Sequence, residues 1–361
     1  MPRDTVQTIA ERARFLLSGG PDSVDLAISK AVDEAFESGE GLASTVESSL
    51  IGEIRSAMSG YGALDDLVAD PRIEEIWINS PNEVFVYENS QKKKLNLQLT
   101  SLSVRQMVER MLRDSGRRLD RSEPFVDSTL SNGSRLHVVI PDITKQHWTV
   151  NIRKFPAKVY SLQDLVRFGS MSQDMANFIA EEFMAGRNIL VSGATQAGKT
   201  TLLCAVLDVG SQTERLISVE ETFEIRTNYI DWVAMQSRQA NLEGVGEITL
   251  RRLVKEALRM RPSRLVIGEV RQAEALDLLI ALNSGIAGLC TIHANSALEA
   301  IEKLKLLPLL AGENIPSIFV SSTVERTIGV VIHCEMRSDG TRRVSQVIKS
   351  DGAGTWVEVE L

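Results

Sequence analysis

Residues 189–203 read "ILVSGATQAGKTTLL", a short apolar run that breaks into a glycine-bounded loop and opens into a second apolar run. From Gly193 to Thr200 the stretch satisfies G-x-x-x-x-G-K-[ST]. Backbone N–H groups of such a loop wrap phosphate oxygens, while its lysine reaches the terminal phosphates and its hydroxyl reaches Mg²⁺. The loop constrains the fold because it needs a buried strand before it and a helix start after it, where unpaired N–H groups complete the anion site. Both flanks fit: "NILVSG" reads as a buried strand and "KTTLLCAVLDVG" as a helix ended by Gly210. Gln196 is the awkward residue, because a loop position that needs φ > 0 disfavours a side chain.

The rest of the second half keeps the same rhythm. "LISVEE", "SRLVIGEV" and "LCTIHAN" read as strands, and "TLRRLVKEALRM" and "EALDLLIALNSG" as helices. This alternation predicts a parallel sheet covered by helices over residues 159–361. The tail "IGVVIHCEMRSDGTRRVSQVIKS" predicts a hairpin turning at Asp339-Gly340. Residues 61–158 change period: Ile76 and Ile78 alternate with Trp77 and Asn79, and Val84 and Val86 with Phe85 and Tyr87, around "SPNE". A helical stripe at Val104, Met107, Val108, Met111 and Leu112 and further strands in "GSRLHVVIP" and "HWTVNIRKF" make this an α/β N-terminal domain. Residues 1–60 carry helix-like spacing, as at Val6, Ile9, Ala13, Leu16 and Leu17, and read as a helical extension.

Composition excludes several classes. The apolar runs are far too short to span a bilayer and the first residues hold no signal-peptide core, which places the expected location in the cytoplasm. Cys204, Cys290 and Cys334 form no CxxC pair, so they read as small buried hydrophobes rather than a disulfide framework or zinc cage. A net charge of −8 argues against a general nucleic-acid surface.

Around the loop, the expected nucleotide contacts are Gly193, Ala194, Thr195, Gln196, Ala197, Gly198, Lys199, Thr200 and Thr201, with Lys199 on the β- and γ-phosphates and Thr200 on Mg²⁺. Glu269 ends an apolar strand, where a second carboxylate would reach the Mg²⁺ shell or polarise an attacking water; the alternative is a solvated carboxylate. Glu220 and Glu221 end another strand and enter the same crevice, or form an acidic pair at a helix start. His293 follows a strand and would sense phosphate or position water, or be a satisfied polar group. The arginines Arg251, Arg259, Arg261, Arg264 and Arg271 read as a solvated face, or as donors into a neighbouring copy's site.

In order along the chain, "DLVADPRIEEIWINSP", "GSRLHVVIP", "NIRKF", "GATQAGKTTLL", "EGVGEITLRRLVKEALRMRPSRLVIGEVR", "EALDLLIALNSG" and "TIHANS" resemble the type II/type IV secretion ATPase superfamily, and within it the tight-adherence pilus branch. The resemblance covers about residues 60 to 350. It implies a PAS-like N-terminal domain over a RecA-like P-loop core, ATP and Mg²⁺ as ligands, and a homo-oligomeric ring, usually a hexamer. It also implies inner-membrane pilus or secretion platform proteins as partners, with the ring peripheral to the inner face of the cytoplasmic membrane. By position, Gly193–Thr201 resembles the Walker A loop, Glu269 ends the Walker B strand, Glu220 and Glu221 fall in the acidic box, and His293 falls in the histidine box. Arg135 and Arg153 resemble the family's nucleotide-clamping arginines, and Arg259, Arg261 and Arg271 its core arginines. The function implied is a Mg·ATP-hydrolysing motor that powers pilus assembly; the alternatives are a nucleotide-gated docking scaffold or a conjugation or effector-secretion ATPase. The chain departs from the family at Gln196 and Ala197, where many relatives place Gly and Ser, and at Glu221, where Asp is frequent.

Overall fold

A computed structural model of the chain describes residues 8–9, 12–13, 16, 24–37 and 61–360, apart from positions 90, 114, 116, 156–158, 211–212, 241–243, 313 and 353. The chain divides into two compact units, Met1–Phe155 and Pro156–Leu361. Most of the helical extension expected over residues 1–60 lies outside the described residues. Within it, α1 spans Val24–Glu37 and buries Ala27, Ile28, Ala31 and Val32, the stripe a 3.6-residue period puts on one face.

In the first unit, a short helix α2 (Asp65–Ala69) leads into an antiparallel sheet. Its strands are β1 (Ile73–Ser80), β2 (Glu83–Glu88), β3 (Gln91–Leu95), β4 (Phe125–Thr129), β5 (Arg135–Val139) and β6 (Thr149–Arg153), in the order β3-β2-β1-β6-β5-β4. The alternation read from sequence sorts the two faces. Ile76, Ile78, Val84, Val86, Leu136, Val138, Val150 and Ile152 are buried in one core with helix α3 (Ser101–Leu112). On the opposite face Trp77 stacks on Phe85 with ring centroids 5.6 Å apart, and Lys92 of the exposed edge strand reaches over both rings. Thr100 and Ser103 cap α3 reciprocally, and Val104, Met107, Val108 and Leu112 are its buried stripe, with Met111 packed at the rim.

The second unit opens with α4 (Leu162–Arg167) and α5 (Gln173–Met184), each started by a serine cap, Ser161 and Ser172. Its eight-stranded sheet runs β14-β13-β12-β7-β11-β10-β8-β9. Six neighbours, β12 (Ile328–Met336), β7 (Asn188–Gly193), β11 (Ala287–Ile292), β10 (Arg264–Ile267), β8 (Leu216–Glu220) and β9 (Trp232–Gln236), are parallel. β13 (Arg342–Ser350) and β14 (Trp356–Glu358) add antiparallel strands at one edge. Helices cover both faces, as parallel strands require. On one side α4, α5 and α6 (Lys199–Leu207) pack on Ile189, Val191, Leu216 and Val266. On the other, α7 (Leu250–Ala257), α8 (Glu274–Asn283), α9 (Ala297–Leu306) and α10 (Ser317–Thr327) pack on Leu190, Ile217, Leu265 and Cys290.

The predicted tail hairpin is β12-β13, and Asp339 closes its turn by accepting from the Thr341 amide and hydroxyl. All three cysteines are free and buried, and burial pushes the Cys290 and Cys334 thiols up to about 12 and that of Cys204 to about 11. No helix among the described residues is long and apolar enough to cross a membrane.

Candidate active site

The parallel strands determine what meets at the site. The glycine loop follows β7, His293 follows β11, Glu269 follows β10, and Glu221 and Glu224 follow β8, so four adjacent strands deliver these groups to the carboxyl edge of one sheet. The loop itself is built by left-handed turns. Gly193 has φ +148°, Gln196 φ +64° and Gly198 φ +91°. A Cβ on Gly193 would stand 2.4 Å from the Cys334 carbonyl oxygen, so β12 runs too close for any other residue. Gln196 does occupy the positive φ that the pattern demands, a conformation costing roughly 1 kcal/mol or more for a residue with a side chain. Behind the loop, α6 is buried on all sides through Leu202, Leu203, Cys204, Ala205, Val206 and Leu207, and its N-terminus opens on the loop.

Lys199 is buried and folds back on its own loop, donating to the carbonyls of Gly193 at 3.1 Å and Ala194 at 2.9 Å. Its Nζ also stands 3.2 Å from Nδ1 of His293. Nε2 of that histidine lies 2.9 Å from Oε1 of Glu269. One tautomer satisfies both contacts: Nδ1 accepts from the ammonium and Nε2–H donates to the carboxylate. Burial and the Lys199 charge hold the His293 pKa below the ordinary imidazole value, which keeps that neutral form.

Glu269 is also gripped by Arg271, with Nε at 2.7 Å from the same Oε1 and Nη2 at 2.9 Å from Oε2. Nη1 of Arg271 reaches Oε2 of Glu221 at 3.1 Å. Burial works to raise the Glu269 pKa, but the hydrogen bonds and charge of Arg271, aided by His293 and Lys199, outweigh it and hold the carboxyl below its usual range. The result is one continuous chain: Glu221, Arg271, Glu269, His293, Lys199. Beside it, Thr200 Oγ1 donates to Glu224 Oε2 at 3.3 Å.

Glu220 does something different from its neighbour Glu221. It is 2% exposed, and its Oε1 accepts from the amides of Glu224 at 2.8 Å and Ile225 at 2.7 Å. Burial pushes its carboxyl up to about 7 against those two hydrogen bonds. In this structure Glu220 shapes the turn that carries Glu221 and Glu224.

The remaining predicted arginines fall elsewhere. Arg259 and Arg261 precede β10, at the amino edge of the sheet, whereas the loop is at the carboxyl edge. Arg259 is exposed, 3.9 Å from Glu256, and Arg261 is left-handed at φ +55°. Arg264 is a buried structural group, paired with Glu214 at 3.0 Å and stacked on Phe183 at 3.8 Å. Arg135 and Arg153 belong to the first unit, where they face one another across β5 and β6 in register; Arg135 reaches Asp127 at 3.2 Å.

Two residues of the site escaped the sequence reading. Glu224 lies in the same acidic stretch as Glu220 and Glu221, and its signal was the third carboxylate in "EETFE". Arg342 donates from Nε to the Gln196 carbonyl at 2.8 Å; a contact across 146 positions leaves no local signal. Among the described residues no group of three or more His, Cys, Asp or Glu side chains forms a ready metal cage. The donor set fits Mg²⁺ carried on a nucleotide rather than a free metal site: the Thr200 hydroxyl with the Glu224 carboxylate on it, and Glu269 joined through His293 to the lysine of the glycine loop.

The chain is similar to known proteins over most of its length. The chain is 33% identical over 302 residues to the "Putative conjugal transfer protein Rv3659c" of Mycobacterium tuberculosis, covering 81% of this chain and 85% of that protein. It is 25% identical over 325 residues to the type IV secretion system protein VirB11 of Bartonella henselae, covering 79% and 90% respectively. The Legionella pneumophila ATPase DotB superposes with TM-score 0.58 at 17% identity over 80% of each chain, and the pilus retraction motor PilT, solved with ADP, with TM-score 0.53 at 17% identity over 82% of each. These neighbours share the RecA-like α/β fold. Residues 58–350 match the family described as "Type II/IV secretion system protein". With the match running from the first unit through the glycine loop to the tail hairpin, the chain belongs to the type II/IV secretion system protein family.

Proposed function

We propose that this protein is a Mg·ATP-hydrolysing motor that acts as a ring of identical copies, powering assembly of a tight-adherence or type IV-like pilus or a related secretion machine at the inner face of the cytoplasmic membrane. The observation that carries the reading is the linkage of Glu269 to Lys199 through His293, beside a glycine loop at the carboxyl edge of the sheet. The loop amides and the α6 N-terminus supply the anion site. Lys199 exchanges its contacts with the Gly193 and Ala194 carbonyls for the terminal phosphates. Bound Mg²⁺ would shield phosphate charge, held by Thr200 with Glu224 and Glu269 near it, directly or through water. Glu269 is the group to take the proton of an attacking water, and it does so once Arg271 lets go, which frees Arg271 to offset charge on the phosphate. His293 joins the carboxylate to the lysine and so reports the state of one to the other. Arg135 and Arg153 are proposed to clamp nucleotide, and Arg259 and Arg261, at the far edge of the sheet, to act on a neighbouring copy.

A second reading, a nucleotide-gated scaffold that hydrolyses too slowly to drive movement, is favoured by the two-pronged grip of Arg271 on Glu269, which occupies the base. Relatives named for conjugal transfer and type IV secretion support a transfer or effector-secretion machine as the sibling assignment. Steady-state hydrolysis by the full chain separates motor from scaffold. We expect Glu269→Gln and Lys199→Ala to lower kcat by roughly a hundredfold or more. A wild-type rate no higher than that of the variants leaves only the scaffold.

A further inference from the structure

The tail hairpin touches the phosphate loop at two places. At the loop's start, Cys334 pairs in register with Gly193, and its carbonyl fills the space a side chain would need. Near the loop's end, Arg342, the first residue of β13, donates from Nε to the Gln196 carbonyl at 2.8 Å. Its aliphatic stem lies against Gly198, where a Cβ would stand 3.3 Å from Arg342 Cδ. The carbonyl it holds belongs to the one residue of the loop with a side chain and a positive φ, +64°. A left-handed non-glycine residue persists only when its surroundings hold it there. Among those surroundings, the Arg342 guanidinium is a contact contributed by another element.

From this we propose that Arg342 is a positioning residue for nucleotide binding: it holds Gln196 left-handed, keeping the loop amides aimed into the anion site, and so ties the tail hairpin to the affinity for Mg·ATP. The proposal rests on the nucleotide-binding reading above. It also makes sense of a local conflict, since the strained Gln196 stands where glycine would need no tether.

The test compares wild type, Arg342→Ala, Arg342→Lys, Gln196→Gly and the double variant Gln196→Gly/Arg342→Ala, all as full chains. Arg343→Ala, which removes only the exposed hairpin pair with Glu335, is the control for damage to the hairpin. Calorimetry is expected to show Arg342→Ala binding Mg·ATP roughly tenfold more weakly, equivalent to about 1.4 kcal/mol. In the Gln196→Gly background the same change is expected to cost less than about threefold, because a glycine needs no holding. Arg342→Lys, which keeps the charge but loses the planar donor, should fall between. Hydrogen exchange of the amides at 194–198 in nucleotide-free protein should quicken in Arg342→Ala and not in Arg343→Ala. Equal losses in the wild-type and Gln196→Gly backgrounds, or wild-type affinity with unchanged exchange, overturn the proposal. Failure of wild type to bind Mg·ATP sinks the nucleotide reading instead, and the exchange measurement still decides whether Arg342 holds the loop.

Discussion

Glu220 shows how the environment of a single side chain redirects a residue type. Read from sequence it is one of an acidic pair at a strand end; in the fold it is buried, with Oε1 on two amides and Oε2 without a hydrogen-bond partner among the described residues. Its carboxyl shifts from an ordinary 4.5 to about 7 because burial penalises the charge. A raised folded pKa means the folded state holds its proton longer than the unfolded state does. The stabilising contribution is therefore fully present below the unfolded value and is lost as pH rises through about 7. The size is on the order of 3 kcal/mol. Glu220→Gln keeps the acceptor for both amides and removes the titration, so urea unfolding across that pH window is expected to show a flatter dependence and a more stable variant on the alkaline side. A wild-type slope retained by the variant contradicts this account. The strand-end positions of Glu269 and Glu221 were legible because each closes an apolar run; the inward turn of Glu220 was not, since sequence position says where a strand ends but not which way its last side chain points.

At the scale of elements, period and punctuation carried most of the information. The alternation at Ile76, Ile78, Val84 and Val86 and the stripe of α3 predicted strands and a helix that the structure contains, and Asp339-Gly340 marked the hairpin turn. β9 went unread because it is an edge strand whose five residues are all half-buried, so it shows neither the alternation of a one-sided strand nor the solid apolar run of a central one. The contact between β7 and β12 yields a prediction at this scale. Gly193→Ala places a methyl 2.4 Å from a backbone carbonyl and 3.2 Å from the Ala197 methyl, so the strand end or the loop must shift. We expect about 2–4 kcal/mol of destabilisation by chemical denaturation together with loss of Mg·ATP binding. A variant that binds nucleotide normally would show that the loop tolerates displacement of its first residue.

The molecule as a whole consists of two units with separate cores, an antiparallel sheet backed by α3 and a parallel sheet covered on both faces. Calorimetric unfolding is accordingly expected to show two transitions. Mg·ATP at about a hundred times its Kd should raise that of residues 156–361 by the equivalent of about 2.7 kcal/mol. If Arg135 and Arg153 clamp the nucleotide, the transition of the first unit rises with it, and Arg135→Ala/Arg153→Ala abolishes that rise alone; an N-terminal transition indifferent to nucleotide in wild type removes both arginines from the site. Sequence by itself determined the strand-loop-helix unit, the parallel sheet, the strands and helix of the first unit and the strand-end carboxylates, because apolar period, glycine placement and loop pattern are local properties of the chain. Only the tertiary structure decided that four strands distant in sequence lie side by side, that Arg271 grips Glu269, that Glu220 turns inward and that Arg342 holds Gln196. Those outcomes depend on strand order and on which side chains packing leaves room for, and neither is written within any short stretch of residues.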